Sequence, residues 1–129
     1  MVTVDEAEAI ARGLPEVDEG VRYGHRTFLV VSKAFAWERP FSKADLKRFG
    51  SEEPPSGPIL AVAVEDLAEK AAVLEAHGAA GVFTIAHFEG YPAVLVALDE
   101  VDPATLRELV VDAWLACAPA ALAEAYLAG

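Results

Sequence analysis

Residues 59–64 read ILAVAV, a run in which the large side chains of Leu60, Val62 and Val64 alternate with Ala61 and Ala63. Residues 92–98, PAVLVAL, show a similar alternation. Successive side chains of a strand point to opposite faces of its sheet, so each run predicts a strand with one bulky face and one face of smaller residues. The bulky residues, which we expect to face helices across a core, are Leu60, Val62, Val64, Val94, Val96 and Leu98.

Three other segments have the spacing of amphipathic helices. Residues 3–15 begin with the Thr-x-x-Glu pattern of a capping box and end at a proline. Residues 67–78 place apolar side chains on one helical face and end at a glycine. Residues 102–119 begin with Asp-Pro, continue as an apolar stripe and end at a second proline. The helix residues expected to cover the bulky strand faces are Leu67, Leu74, Leu106 and Val110.

The first half of the chain adds a hairpin and a short helix. Residues 27–37, TFLVVSKAFAW, have the β-branched and aromatic content of two strands around a turn at residues 32–33. Residues 42–49 begin with a Ser-x-x-Asp pattern that predicts a helix cap, and residues 16–19 are interpreted as an acidic linker. The strands therefore fall into two groups and do not alternate strictly with helices.

This grouping predicts the α+β class. With 129 residues, 54% of them hydrophobic, the chain has the length and composition of one globular domain spanning 1–129. We expect two layers, an antiparallel sheet of about five strands covered by helices on one face. The other face, rich in alanine, would then be open, and an open apolar sheet face predicts a homodimer contact.

Several classes of protein do not fit the sequence. No apolar run has the length of a membrane span, and the first ten residues, MVTVDEAEAI, carry three acids where a signal peptide carries cations. We therefore expect a cytoplasmic protein without membrane contact. Cys117 is the single cysteine, which excludes an internal disulfide, and it has no companion at metal-ligand spacing. We expect neither a metal nor a cofactor.

Segments 14–37, 59–66 and 83–119 together resemble the MmcQ/YjbR family, and GYPAVLV and DPATLRELVVDAW are the most specific stretches. The resemblance implies a small two-layer fold similar to secretion chaperones and frataxin-like proteins. The family is often labelled DNA-binding, on the basis of a proposed double-wing shape, and it supplies no catalytic motif. Relatives often have basic residues after the Ala-Pro of the last helix, where this sequence has Ala120, Ala121 and Leu122.

Cations are concentrated in residues 22–48, which carry a net charge of +5 in a chain whose formal net charge is −11. Such a segment can attract an anionic partner despite the acidic total, because screening limits repulsion to roughly 8 Å at physiological salt. Its cations can equally be a solvated surface that balances nearby acids. The candidates for weak, sequence-indifferent contact with DNA or another anion are Arg22, Arg26, Arg39, Lys43, Lys47 and Arg48.

Aromatic and histidine side chains supply a second set of candidates. They can line a ligand pocket, but they can also be packing residues of the core. The pocket candidates are Tyr23, His25, Trp37, His87 and Tyr91. No phosphate loop, HExxH or GxSxG motif is present, so we expect a protein that is not an enzyme, and a catalytic role would fall first to His25 and His87. The sequence thus favours a DNA-binding accessory; the alternative is a module that binds a small ligand or a protein partner.

Overall fold

The computed structural model describes all residues, 1–129, as one antiparallel sheet with five helices. The elements in chain order are α1 (Val4–Arg12), β1 (Val17–Arg22), β2 (His25–Val30), β3 (Lys33–Glu38), α2 (Lys43–Phe49), β4 (Ile59–Ala63), α3 (Leu67–His77), β5 (Val82–Phe83), β6 (Ala93–Ala97), α4 (Pro103–Cys117) and α5 (Ala120–Ala128). The strand order is β1-β2-β3-β4-β6-β5, with every neighbouring pair antiparallel. The predicted α+β class is confirmed, and the sheet has six strands where about five were expected.

The additional strand is β1, which occupies the segment interpreted as an acidic linker. It pairs with β2 from Val17 opposite Val30 to Arg22 opposite His25. Most of its side chains are exposed, because β1 is an edge strand with little surface facing the core. A charged edge strand lacks the alternation that marks a half-buried strand, and charge on an edge also blocks pairing with other chains.

The bulky strand faces pack under the long helices. Leu60, Val62, Val94, Val96 and Leu98 belong to one core with residues of α1 and α4. Val64 and Leu74 pack at the border of this core, and Leu106 and Val110 lie inside it. The expected register is therefore confirmed. The exception is Leu67 at the start of α3, whose residue surface is 52% exposed, so it does not cover the strands as predicted.

The alanine-rich face is not open, contrary to expectation. Ala61, Ala93 and Ala97 have no exposed surface, since aromatic and aliphatic side chains from the same chain lie over them. These covering side chains are Trp37, Phe41, Phe83, Ile85 and Phe88. The homodimer was expected on the basis of an open face; that basis is absent, and the homodimer itself stays a prediction.

Local sequence signals explain the short elements near this second face. Ser42 and Asp45 form both hydrogen bonds of a capping box, which fixes the start of α2. Val31 and Ser32 form the two-residue turn between β2 and β3, and both have positive φ, as a type I′ hairpin turn requires. None of the helices has the length and apolar character needed to cross a membrane.

Candidate functional site

A groove of about 730 Å³ opens on the second face of the sheet. Its walls come from the tip of the β1–β2 hairpin, from β3 and residues 39–42 that follow it, and from the turn at 86–91. Small-molecule sites typically have volumes of about 300–1,000 Å³, so the groove is of a size to hold a small ligand.

The structure brings all five pocket candidates to this groove: Tyr23, His25, Trp37, His87 and Tyr91. The alternation of side chains along β2 and β3 puts His25 and Trp37 on the groove face. Thr27 pairs with Trp37, and His25 is two residues before Thr27 on the same face of the sheet. Tyr23 is 99% exposed, since it stands in the β1–β2 turn with φ of 52° beside Gly24. Whether these residues bind a ligand stays a prediction.

The aromatic rings of the groove form a fixed arrangement. Phe88 is buried and packs against both partly exposed rings, with its ring centroid 6.5 Å from that of Trp37 and 5.5 Å from that of Tyr91. Trp37 and Tyr91 are also 6.5 Å apart, at an interplanar angle of 73°. Trp37 is half-buried and Tyr91 is 50% exposed, so both rings keep surface available for a ligand.

Two of the basic candidates line the groove, and they differ in their partners. The Arg39 guanidinium donates to the carbonyl oxygen of Pro40 at 2.6 Å and pairs with the Asp45 carboxylate at 2.9 Å. It also lies 5.4 Å from the centroid of the Phe88 ring. Arg22 is exposed and has no ion pair, so it is the free cation of the groove.

Asp45 is buried and supports both Arg39 and the cap of α2. Burial by itself would raise the pKa of this carboxyl group. Hydrogen bonds from the Ser42 backbone and from the Arg39 guanidinium outweigh that cost, so the pKa of Asp45 lies below its ordinary value. The carboxylate is therefore ionised at neutral pH and fixes Arg39 in place.

The remaining basic candidates lie elsewhere. Arg26 points to the helix side, where its guanidinium pairs with the buried Glu8 carboxylate at 2.8 Å. Lys43, Lys47 and Arg48 are exposed on α2, and none of them forms an ion pair or lines the groove. The six basic candidates thus do not share one surface.

A smaller cavity of about 230 Å³ adjoins the groove at the same end of the sheet. The two share His25, Glu38, Pro40 and Phe41 as lining residues. Glu38 accepts a hydrogen bond from the Arg26 backbone N–H at 2.9 Å, which holds its carboxylate at the boundary. Sequence reasoning did not single out Glu38, because a charged residue at a strand end gives no signal of its own.

Lys70 of α3 is a second residue that sequence reasoning missed. It is buried, and its Nζ donates to the carbonyl oxygens of Phe88 and Tyr91. Burial lowers the pKa of its ammonium, with a smaller opposing effect from Glu89. A signal was present in the sequence, since Lys70 follows Leu67 by three residues and precedes Leu74 by four, which puts a lysine on the apolar side of the helix.

A family model described as YjbR matches residues 12–116, a range that includes every residue lining the groove. The chain is 45% identical over 131 residues to the uncharacterised protein Rv2570 of Mycobacterium tuberculosis, and equally to Mb2600 of Mycobacterium bovis. Each match covers 99% of this chain and 98% of the relative. Among solved structures, the DUF419 domain of Deinococcus radiodurans protein DR2400 matches with a TM-score of 0.59 and 22% identity, covering 89% of this chain and 78% of that one. This last likeness concerns the fold alone.

Proposed function

The chain belongs to the YjbR family, and we propose that it is a non-enzymatic binding protein that holds a small planar anion in the groove beside Trp37. The observation that carries the proposal is the combination of two partly exposed aromatic side chains, Trp37 and Tyr91, with the free cation Arg22 in one concave site. A planar ligand can stack on such rings without a specific hydrogen-bond pattern.

The separation of the charged groups in the groove determines where an anionic group of a ligand would bind. Arg39 is neutralised by Asp45, which leaves Arg22 and Glu38 as the other charged lining residues. Glu38 lies at the boundary with the smaller cavity and accepts from a backbone N–H, whereas Arg22 stands exposed at the hairpin tip. A ligand that stacks on Trp37 with its anionic group toward the hairpin tip would meet Arg22.

Flavin mononucleotide is a suitable probe because it joins a planar ring to a phosphate, and riboflavin is the same ring without the phosphate. Trp37→Ala should weaken flavin mononucleotide binding about tenfold or more, since stacking on one ring contributes roughly 1–3 kcal/mol. Arg22→Ala should weaken it about threefold and leave riboflavin unaffected, because an exposed ion pair contributes only roughly 0.2–1 kcal/mol. Isothermal titration calorimetry measures both.

Arg107→Ala is the matched control, since Arg107 is an exposed, unpaired arginine of α4 outside the groove. It should leave both affinities unchanged. The proposal is wrong if no planar anion, tested up to millimolar concentration, binds the wild-type protein, or if Trp37→Ala and Tyr91→Ala bind the probe as tightly as wild type.

Nucleic-acid binding is the second candidate, and the observation that favours it is α2. Lys43 and Lys47 are exposed one helical turn apart, and Arg48 follows them, all without ion pairs. Three phosphate contacts give a plot of log K against log salt a slope of about −3 on duplex DNA, so binding would be weak and steeply salt-dependent. The overall charge of −11 opposes any larger contact.

Reversal of Lys43, Lys47 and Arg48 to Glu separates the two candidates. It should abolish binding of a fluorescent duplex at low salt if α2 contacts phosphates, while flavin mononucleotide binding in the groove stays unchanged. Wild-type protein that binds neither duplex nor single-stranded DNA at low ionic strength would remove this second candidate and leave α2 as a solvated helix.

A further inference from the structure

We infer that Lys70 is the positioning residue of the groove: its ammonium ties the turn at 86–91 to α3 and so holds the rings of Phe88 and Tyr91 where a ligand meets them. The relevance to ligand binding rests on the proposed function. The structural half of the inference, that Lys70 fixes this turn, can be tested without any ligand.

The contacts of Lys70 are unusual for a lysine. Only 6% of its surface is exposed, and no carboxylate lies within ion-pair distance of its Nζ. In place of a counter-ion it has two backbone carbonyls, those of Phe88 at 2.6 Å and Tyr91 at 2.8 Å. Desolvating an ammonium is unfavourable, and these short charge-assisted bonds offset the cost only while the two carbonyls stay in place.

The turn has few other hydrogen bonds to the rest of the chain, although the buried ring of Phe88 also packs against its neighbours. The hydrogen bonds of residues 86–91, apart from those with Lys70, join positions at most three apart, such as Phe88 N–H to Ile85 and Tyr91 N–H to Phe88. Lys70 lies 18 and 21 residues before its two acceptors. Among the hydrogen bonds of this turn, the two from Lys70 are therefore the ones that connect it to a distant part of the chain.

The position of the turn determines the shape of the groove. Phe88 packs against Trp37 and Tyr91, and the Arg39 guanidinium lies over its ring. A shift of the Phe88 and Tyr91 backbone would move two of these rings and the surface on which Arg39 rests. A groove already formed in the free protein binds without the cost of ordering its wall, which favours affinity.

Lys70→Met tests the inference, because methionine keeps an unbranched apolar stem and removes the donors. The hydrogen-bonded amides of Phe88, Glu89 and Tyr91 should exchange with solvent at least tenfold faster than in wild type, while the amides of β4 and β6 keep their rates. Affinity for flavin mononucleotide should fall about tenfold. Lys33→Met, at an exposed lysine outside the groove, is the matched control and should change neither quantity.

Equal exchange of the three amides in wild type and Lys70→Met would overturn the inference, whatever the probe does. If wild type binds flavin mononucleotide and Lys70→Met shows faster amide exchange with an unchanged affinity, the part of the inference that concerns ligand binding is wrong. Wild-type protein that binds no probe would contradict the proposed function, while the exchange rates still decide the role of Lys70.

A measurement on the wild-type protein covers the case in which Lys70→Met does not fold. The chain has four lysines, and the other three are exposed. The ammonium of Lys70 should therefore give a ¹⁵Nζ signal with hydrogen exchange at least tenfold slower than that of the other three. Four equally fast ammonium groups would place the Lys70 Nζ in solvent and overturn the inference.

Discussion

On the helix-covered face of the sheet, Val62, Val94 and Val96 have no exposed surface and meet apolar side chains of helices. On the other face the strands contribute alanines together with Ile59 and Leu95. The side chains that cover this face come from β3, β5 and the loops that follow these strands, and several of them line the groove. The first face is closed by regular elements, whose spacing is visible in the sequence. The second face is closed by single aromatic residues far apart in the chain, and it is there that accessible polar and aromatic groups meet.

The largest difference between the two faces should appear at the two tryptophans. Trp114 has no exposed surface and donates from Nε1 to the carbonyl oxygen of Pro15 at 3.0 Å, so Trp114→Ala should lower the free energy of unfolding by about 3–5 kcal/mol. Trp37→Ala, on the groove face, should lower it by at most about 2 kcal/mol, because that ring is only half-buried. Urea unfolding measures both, and equal losses would contradict the contrast between the faces.

The features of the fold that could be predicted from the sequence are those set by short-range patterns, namely the spacing of apolar side chains and the residues of a helix cap. The parity of residues 59–64 gave the facing of β4, and the Ser42–Asp45 pattern gave the cap of α2. Strand β1 was missed because its charged edge residues have no buried partner to impose alternation. The closed second face was missed because its cover comes from residues 37–41 and 83–88, two segments far apart in the chain, and no local pattern indicates over which surface such side chains will lie.

The residues of the candidate site could be predicted from the sequence, but their arrangement in space could not. Tyr23 and Tyr91 are distant in sequence, and only the turn positions and the strand order bring them to one groove. Arg26 was grouped with the other cations because of its position in the chain, although strand parity sends its side chain toward Glu8. Charge in a sequence segment is therefore a weak guide to charge on a surface.

Asp45 belongs to the groove face, and Asp45→Asn should lower the free energy of unfolding at neutral pH by about 1.5–3 kcal/mol, since it weakens hydrogen bonds to a charged group. The pKa of Asp45 is lowered in the folded protein, so this contribution is complete above the pKa of the unfolded chain, about 3.9. It is lost as the pH falls through the folded value. The difference in stability between wild type and Asp45→Asn should therefore shrink below about pH 4.

Asp112 of α4 provides a control, because its pKa is shifted in the opposite direction from that of Asp45. Asp112 is exposed, and the partial desolvation of its carboxyl group, together with the charges of Glu108 and Glu69, raises its pKa. A raised folded pKa means that the protonated form is favoured, and this stabilising contribution is lost as the pH rises through the folded value. Asp112→Asn should thus gain a small amount of stability relative to wild type as the pH rises from 3 to 7, because solvent screens the charge of an exposed carboxylate. The same trend for both variants would show that the two carboxylates are not in these different settings.

The packing of the alanine face can be tested by adding volume. Ala61 has no exposed surface beneath the cover of the second face, so Ala61→Leu should cost about 1–3 kcal/mol through overpacking. Ala63→Leu, at the half-buried end of the same strand, should cost less. Thermal unfolding and light scattering should be measured together. A stable Ala61→Leu would mean that the cover yields easily. Light scattering of the wild-type protein decides the homodimer prediction separately.

The smallest expected effect is a gain of stability in the β2–β3 turn, at the end of the hairpin away from the groove. Val31 has a φ of 45° and Ser32 a φ of 69°, and a β-branched residue is strained in this left-handed region. Val31 is also 55% exposed, so its side chain gives up little packing on replacement. Asn-Gly is the preferred pair for a type I′ turn, and Val31→Asn with Ser32→Gly should raise the free energy of unfolding by about 1 kcal/mol. Affinity for flavin mononucleotide should not change, because neither residue lines the groove. A loss of stability would mean that the strain is smaller than the flexibility that glycine adds to the unfolded chain.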